Sequence, residues 1–338
     1  MPVFAAAALL YRGTRTTKRA YSMRYRRIVV VGASGFVGRY VVRELAKTGA
    51  VIAAVCRHAA EAGYLRTMGD VGQIALIDCD MSDAARLRPI LAGAEAVINA
   101  TGILFERGKQ RFQKVHVEGP ALLAQLAAES AAKAFIHISA IGADPSSNSA
   151  YGRSKAAGEA RVRQAFPQAV ILRPSLIFGP EDSFFNRFAA IARFAPALPL
   201  IGGGLTRFQP VYVGDVAEAA RAALERPESP GRIYELGGPQ IFTLKELFEL
   251  LLKEIGRKRL LLPVPFGFAL LHAAFHEFLP LPQPLITRDQ VRMLKNDAVA
   301  TPGTPGLEAL GITPAALEPI LASYLQRFRR PNLAIAAA

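Results

Sequence analysis

The sequence predicts an α/β fold: a doubly wound parallel sheet with a smaller, mostly helical C-terminal lobe. Three observations predict it. The β-branched run Ile28 to Val31 leads into glycines 32, 35 and 38, and then into a helical stripe of Val41, Val42, Leu45 and Ala46. Further apolar runs, "VIAAVC", "LIDCDM", "AVINATG" and "AFIHISA", each end in small or polar residues, as strands of an open sheet do. From Leu260 to Asp289 the chain becomes strongly apolar but is broken by Pro263, Pro265, Pro280, Pro282 and Pro284, which suits a packed helical lobe.

At 338 residues, 51% of them hydrophobic, the chain can bury a large core. Its net charge of +14 is uneven, because residues 1–27 hold Arg12, Arg15, Lys18, Arg19, Arg24, Arg26 and Arg27 and no acid. The excess is therefore partly a property of the tail and does not argue for nucleic acid. The leader "MPVFAAAALLYRGTRTTKRAYSM" has the Ala- and Arg-rich, acid-free composition of an organelle transit peptide, and it equally fits an over-called start ahead of Met23. Its apolar run Val3 to Leu10 is too short to span a membrane. Cys56 and Cys79 are too few for a disulfide framework, suit a reducing compartment and read as ordinary semi-buried thiols.

The first strand, Gly32-x-x-Gly35-x-x-Gly38 and the helix that follows form a dinucleotide-binding unit. Glycines allow a tight turn, close approach of backbone to a pyrophosphate and close helix–strand packing, while the helix start offers free N–H groups to phosphate. Ser34, Phe36, Val37 and Arg39 belong to the same phosphate-facing stretch. Where an NAD binder places an acid at the end of the second strand, this chain has Cys56-Arg57-His58, so NADP(H) is favoured over NAD(H), with Arg57 on a 2′-phosphate and Arg39 adding charge. Asp80-Met81 is placed for the adenine, and Asn99, Ala100, Thr101 and Gly102 for the ribose.

Ser139 closes the fifth strand, and Tyr151 and Lys155 stand four apart on the next helix, one turn from each other on one face. Tyrosine moves a proton at a carbonyl or alcohol oxygen, lysine beside the nicotinamide ribose lowers the tyrosine pKa, and serine holds the substrate oxygen.

With these residues in order, the chain resembles the atypical, extended short-chain dehydrogenase/reductases. "LRPSLIFGPED" matches the strand and loop after which that group builds its substrate pocket, and Pro174 is carried over as a cofactor contact. "FQPVYVGDVAEAA" and "YELGGPQIFTLKEL" resemble its later elements. More narrowly, "RTMGDVGQI", "FGPEDSFFNRFA", "PLITRDQVRML" and "PGLEALGITP" resemble the NAD(P)H-binding accessory subunits of respiratory complex I and their alphaproteobacterial relatives. That resemblance implies a reductase fold that holds NADPH and serves assembly, next to peripheral-arm subunits near the membrane. It implies a peripheral place on the inner membrane, on the cytoplasmic side if bacterial and the matrix side if mitochondrial. Quinone biosynthesis attaches to some relatives. One departure puts turnover in doubt: the asparagine of active members is His116 here, in "VHVEGP", and Pro120 replaces a threonine.

The expected organisation is a leader over 1–25, a Rossmann-type domain over 26–172, a substrate or partner lobe over 173–330 with 208–237 returning to the sheet, and a tail over 331–338. Phe266 to Leu279 is the longest helical piece of the lobe, apolar almost all round, and either packs on the core or meets a partner or membrane interface. His272 and His276 lack a third ligand, so no metal is expected. Arg288, Asp289 and Arg292 read as structural or interfacial ion pairs.

Two functions compete: a nucleotide-holding accessory subunit, and an active NADPH-dependent reductase or epimerase on a small or quinone-like substrate. A third, a redox-sensing regulator, would normally drop the tyrosine.

Overall fold

The computed structural model describes residues 24–278 and 286–329. The leader and tail expectations therefore fall almost wholly outside the described residues, as do the side chain of His276 and the Pro280–Pro284 run.

The first half alternates strand and helix: β1 (Arg27–Val31), α1 (Phe36–Ala46), β2 (Val51–Cys56), β3 (Ile74–Asp78), α2 (Ala84–Leu91), β4 (Ala96–Asn99), α3 (Gly119–Glu129), β5 (Ala134–Ile138), α4 (Ala150–Ala165) and β6 (Val170–Pro174). A 3₁₀ stretch, Ala59–Met68, follows β2, and a π-helical turn, Gln113–Glu118, runs into α3. The second half comprises β7 (Ile177–Phe178), α5 (Phe185–Ala192), β8 (Ala197–Ile201), β9 (Arg207–Phe208), β10 (Val211–Tyr212), α6 (Val213–Glu225), β11 (Ile233–Leu236), β12 (Phe242–Thr243), α7 (Leu244–Glu254), β13 (Leu260–Val264), α8 (Phe266–Phe278), α9 (Arg288–Met293) and α10 (Leu317–Leu325).

Seven strands form one parallel sheet in the order β11-β6-β5-β4-β1-β2-β3. The order reverses between β1 and β4, so the carboxyl ends of these strands open the crevice where such sheets take their ligands. Burial on both faces explains the unbroken apolar strands. Val30, Ile52 and Ile98 pack on the α1 and α6 side, whereas Val29, Val55 and Val97 pack on the side of α2, α3 and α4.

The lobe has its own core, in which α5, α7 and α10 close over Phe185, Leu247, Phe248 and Leu321. Helix α7 starts on a capping box, Thr243 with Glu246, which satisfies two end N–H groups reciprocally. Helix α8 is only partly covered: Ala269 and Ala273 are buried with Ile201 and Val291, while Phe268, Leu271 and Phe275 are exposed by 62%, 70% and 64%. The reason is helical spacing, which turns Phe266, Ala269, Leu270 and Ala273 toward that cluster and Phe268, Leu271 and Phe275 away from it. No helix among the described residues is long and apolar enough to cross a membrane.

Candidate functional site

At the phosphate end, Gly32 and Ala33 turn off β1 by donating their N–H groups to the Val55 carbonyl (3.0 and 3.1 Å). Gly32 has φ +82°, and a Cβ there would stand 3.0 Å from the Ala100 backbone. At Gly38 a Cβ would stand 2.1 Å from the Gly32 carbonyl oxygen, so only glycine lets α1 press onto the turn. Gly35 caps α1 with no side-chain bond, and no acid occupies the first turn. The free N–H groups and positive end of α1 are left for an anion. Backbone without Cβ atoms at an uncapped helix start is the shape a pyrophosphate requires, so the residues fit a dinucleotide.

Arg39 does not reach out as a second 2′-phosphate charge. Its guanidinium folds back to donate to the Ser34 and Gly35 carbonyls (3.0 and 3.3 Å), stacks on Tyr64 at 5.0 Å, and pairs with Glu181 at 3.7 Å. Tyr64 closes the same loop through its hydroxyl on the Ser34 carbonyl, 2.9 Å. Arg57 is exposed past β2 and bonds the Gln110 amide oxygen. Strand β3 ends at Asp78 rather than at Asp80-Met81, and Asp80 turns its carboxylate onto the Ser82 N–H and hydroxyl (2.8 and 2.6 Å), which holds its pKa down. Met81 points inward, its sulfur 3.2 Å from the Thr101 hydroxyl, which itself donates to Asn99 Oδ1 at 2.6 Å. Asn99 reaches His137 Nδ1 at 3.0 Å, binding the ends of β4 and β5 into one buried polar layer under the ribose position.

At the other end, Ser139, Tyr151 and Lys155 converge. Lys155 is 4% exposed, donates to the Ile138 carbonyl at 3.1 Å, and lies 6.0 Å from the Tyr151 ring centre. Burial pulls its pKa down to about 8 against the opposing pull of Glu159. Ser139 Oγ is buried and has no hydrogen-bond partner among the described residues. The expected lowering of the tyrosine pKa does not occur, because burial dominates and pushes Tyr151 up to about 12. Pro174 ends β6 beside them, accepting from the Ile141 N–H at 3.0 Å.

His116 sits in the π-helical turn, a distortion that recurs at functional sites. The turn is pressed against α4 so closely that a Cβ at Gly158 would stand 1.9 Å from the His116 carbonyl oxygen. The ring stacks on Phe112 (5.1 Å) and meets Tyr151 edge-on (5.3 Å). Its Nε2 accepts from the Ile103 N–H at 3.1 Å, so Nδ1 carries the proton and donates to Ser154 Oγ at 2.9 Å, which donates onward to the Tyr151 carbonyl at 2.8 Å. Burial, with Lys155 nearby, drops its pKa to about 3 and keeps it neutral.

Asp289, expected in an ion pair, also caps α4: its carboxylate accepts from the Ala150 N–H (2.7 Å), the Tyr151 N–H (2.9 Å) and the Ser149 hydroxyl (2.9 Å). Its contact with Arg292 is long, at 4.0 Å, whereas Arg288 does pair, with Glu277 at 2.7 Å. Sequence reasoning missed Tyr64, Gln110, Glu181 and the role of Asp289. The last two lie inside "FGPED" and "PLITRDQVRML", where an acid near a strand end or helix start was the available signal. Among the described residues no group of His, Cys, Asp and Glu is arranged to hold a metal ion.

A family profile, the NAD dependent epimerase/dehydratase family, matches residues 28–237. The chain belongs to this family. It is 36% identical over 315 residues to an Arabidopsis thaliana protein, NADH dehydrogenase (ubiquinone) 1 alpha subcomplex subunit 9, mitochondrial, covering 90% of this chain and 78% of that protein. A ceramide reductase of Caulobacter vibrioides is 31% identical over 200 residues, covering 59% of this chain and 61% of that one. Among solved structures, the triphenylmethane reductase of Citrobacter sp. complexed with NADP(H) superposes with a TM-score of 0.70 at 21% identity, over 88% of this chain and 99% of that one, a likeness of fold.

Proposed function

We propose that this member of the family is an accessory subunit of NADH:ubiquinone oxidoreductase. In this reading it holds NADP(H) as a structural group, next to peripheral-arm subunits, on the matrix or bacterial cytoplasmic face of the inner membrane. The observation that carries the reading is the likeness to subunit 9 along nine-tenths of the chain, including the lobe beyond the dinucleotide fold. The preference for the 2′-phosphorylated cofactor rests on Arg57, which follows β2 where the sequence of an NAD binder carries its acid. The exposed apolar face of α8 supports a peripheral contact with a partner or the membrane interface.

Weak or absent turnover is supported by two arrangements. His116 is neutral with both ring nitrogens committed, and Tyr151 holds its proton more tightly than a free tyrosine does. A nicotinamide cofactor supplies hydride chemistry when bound. The residues that would hold it are Gly32 to Gly38, Arg57, Thr101, Gly102, Tyr151 and Lys155, with Ser139 facing any substrate oxygen.

A second reading, an active NADPH-dependent reductase, is favoured by that orphaned Ser139 hydroxyl and by the ceramide reductase relative. Native purification from mildly solubilised membranes through a C-terminal tag separates the two. Co-migration with a very large NADH:quinone oxidoreductase, with NADPH released only on denaturation, is the expected result. Recovery as a free protein that consumes NADPH with a carbonyl substrate would overturn it.

A further inference from the structure

We propose that Asp289 is a positioning residue through which the C-terminal lobe sets the nicotinamide end of the nucleotide site, an inference that rests on the nucleotide being held there. The first-turn N–H groups of a helix need partners from outside it. In α4 the local sequence supplies two: Ser147 Oγ accepts from the Ser149 N–H and Ser149 Oγ from the Gly152 N–H, each at 3.2 Å. The N–H groups of Ala150 and Tyr151 are taken by Asp289, 139 and 138 positions along the chain, and the same carboxylate fixes the Ser149 hydroxyl. Tyr151 is thus bonded through its own backbone to the lobe, and Lys155 follows one turn later.

The carboxylate is itself held firmly. Its side chain is 16% exposed, and α9 starts on a capping box between Thr287 and Gln290. Val291 is fully buried against α8 and β8, and Arg288 ties α9 to Glu277 on α8. The unit formed by α8 and α9 therefore delivers one charge to one helix end, and its position becomes the position of Tyr151. At the phosphate end the glycine turn and α1 make their backbone bonds to β2 and to each other, and they use no bond from α9.

A clasp that merely joined lobe to sheet would affect both ends of the site alike, whereas a positioning role affects only one. Full-length wild type, Asp289→Ala, Asp289→Asn and the lobe control Glu249→Gln, an exposed residue of α7 that faces Lys245 at 3.8 Å, are titrated with NADPH and with adenosine 2′,5′-bisphosphate, which lacks the nicotinamide half. Amide exchange across 149–155 and 36–46 is followed by mass spectrometry. Asp289→Ala is expected to weaken NADPH by about tenfold, the scale of losing bonds to a charged group, and to abolish the emission change of bound NADPH. The bisphosphate should stay within about twofold. Exchange should rise at 150–155 alone, Asp289→Asn should fall between, and Glu249→Gln should resemble wild type. Equal weakening of both ligands, unchanged NADPH binding or unchanged exchange in α4 would overturn the proposal. If the unaltered chain binds neither ligand, the nucleotide reading falls, while exchange in α4 still decides whether Asp289 holds Tyr151.

Discussion

The two ends of the candidate site are built in opposite ways. The phosphate end is one continuous stretch, Gly32 to Arg39, held by backbone bonds to the end of β2 and by Arg39 folding onto its own loop, with Tyr64 and Glu181 beside it. The nicotinamide end draws Gly102, His116, Ser139, Tyr151 and Asp289 from five separate segments, and a Cβ at Gly102 would meet Lys155 Nζ at 3.6 Å and His116 Nε2 at 4.0 Å. A turn written mostly in one stretch depends on few distant side chains. An assembled end is only as well placed as its most distant contributor.

The sharpest way to break the phosphate end is Gly38→Ala. The added methyl has nowhere to go but into the Gly32 carbonyl, so stability should drop by about 3 kcal/mol, at the top of the usual overpacking range, and nucleotide should not be retained. Denaturant unfolding and the absorbance of nucleotide released from the purified protein check this; a wild-type midpoint would show that α1 can back away. Arg57→Ala should act on selectivity alone. It is expected to cost NADPH about tenfold or more while NADH binding stays put, as for loss of a charge-assisted phosphate contact. Equal changes for both cofactors would remove Arg57 from the 2′-phosphate.

At the nicotinamide end, His116→Ala leaves the Ile103 N–H buried without its acceptor, and about 1–3 kcal/mol should be lost on that account, read as a lowered unfolding midpoint. Lys155 offers a subtler probe. Its folded pKa of about 8 lies below the unfolded value of 10.5, so the unfolded chain binds the extra proton between those limits. Wild type should therefore gain stability relative to Lys155→Met as pH rises from about 8 to 10.5, and a flat difference would contradict the buried, desolvated lysine. The smallest effect is expected from Tyr151→Phe, which should leave NADPH retention within about twofold, and complex assembly intact, if the tyrosine is a ribose contact. A large assembly defect with nucleotide still bound would reverse the ranking of the two ends.

The parallel sheet, the glycine turn and the Tyr151–Lys155 helix were legible in the sequence because each is written in adjacent residues. Burial on both faces demands unbroken β-branched strands, tight turns demand glycine, and helical spacing alone puts two side chains one turn apart. What Arg39 and Asp289 do was not legible. Each is a charged side chain whose partners are chosen by proximity in space: Arg39 by Glu181 and Tyr64, and Asp289 by a helix end 138 positions away. Local sequence determined that α4 would form and what it would carry. Packing of the lobe decided where that helix starts and what holds it, because a helix cannot satisfy its own first N–H groups and must borrow acceptors from whatever the fold brings near.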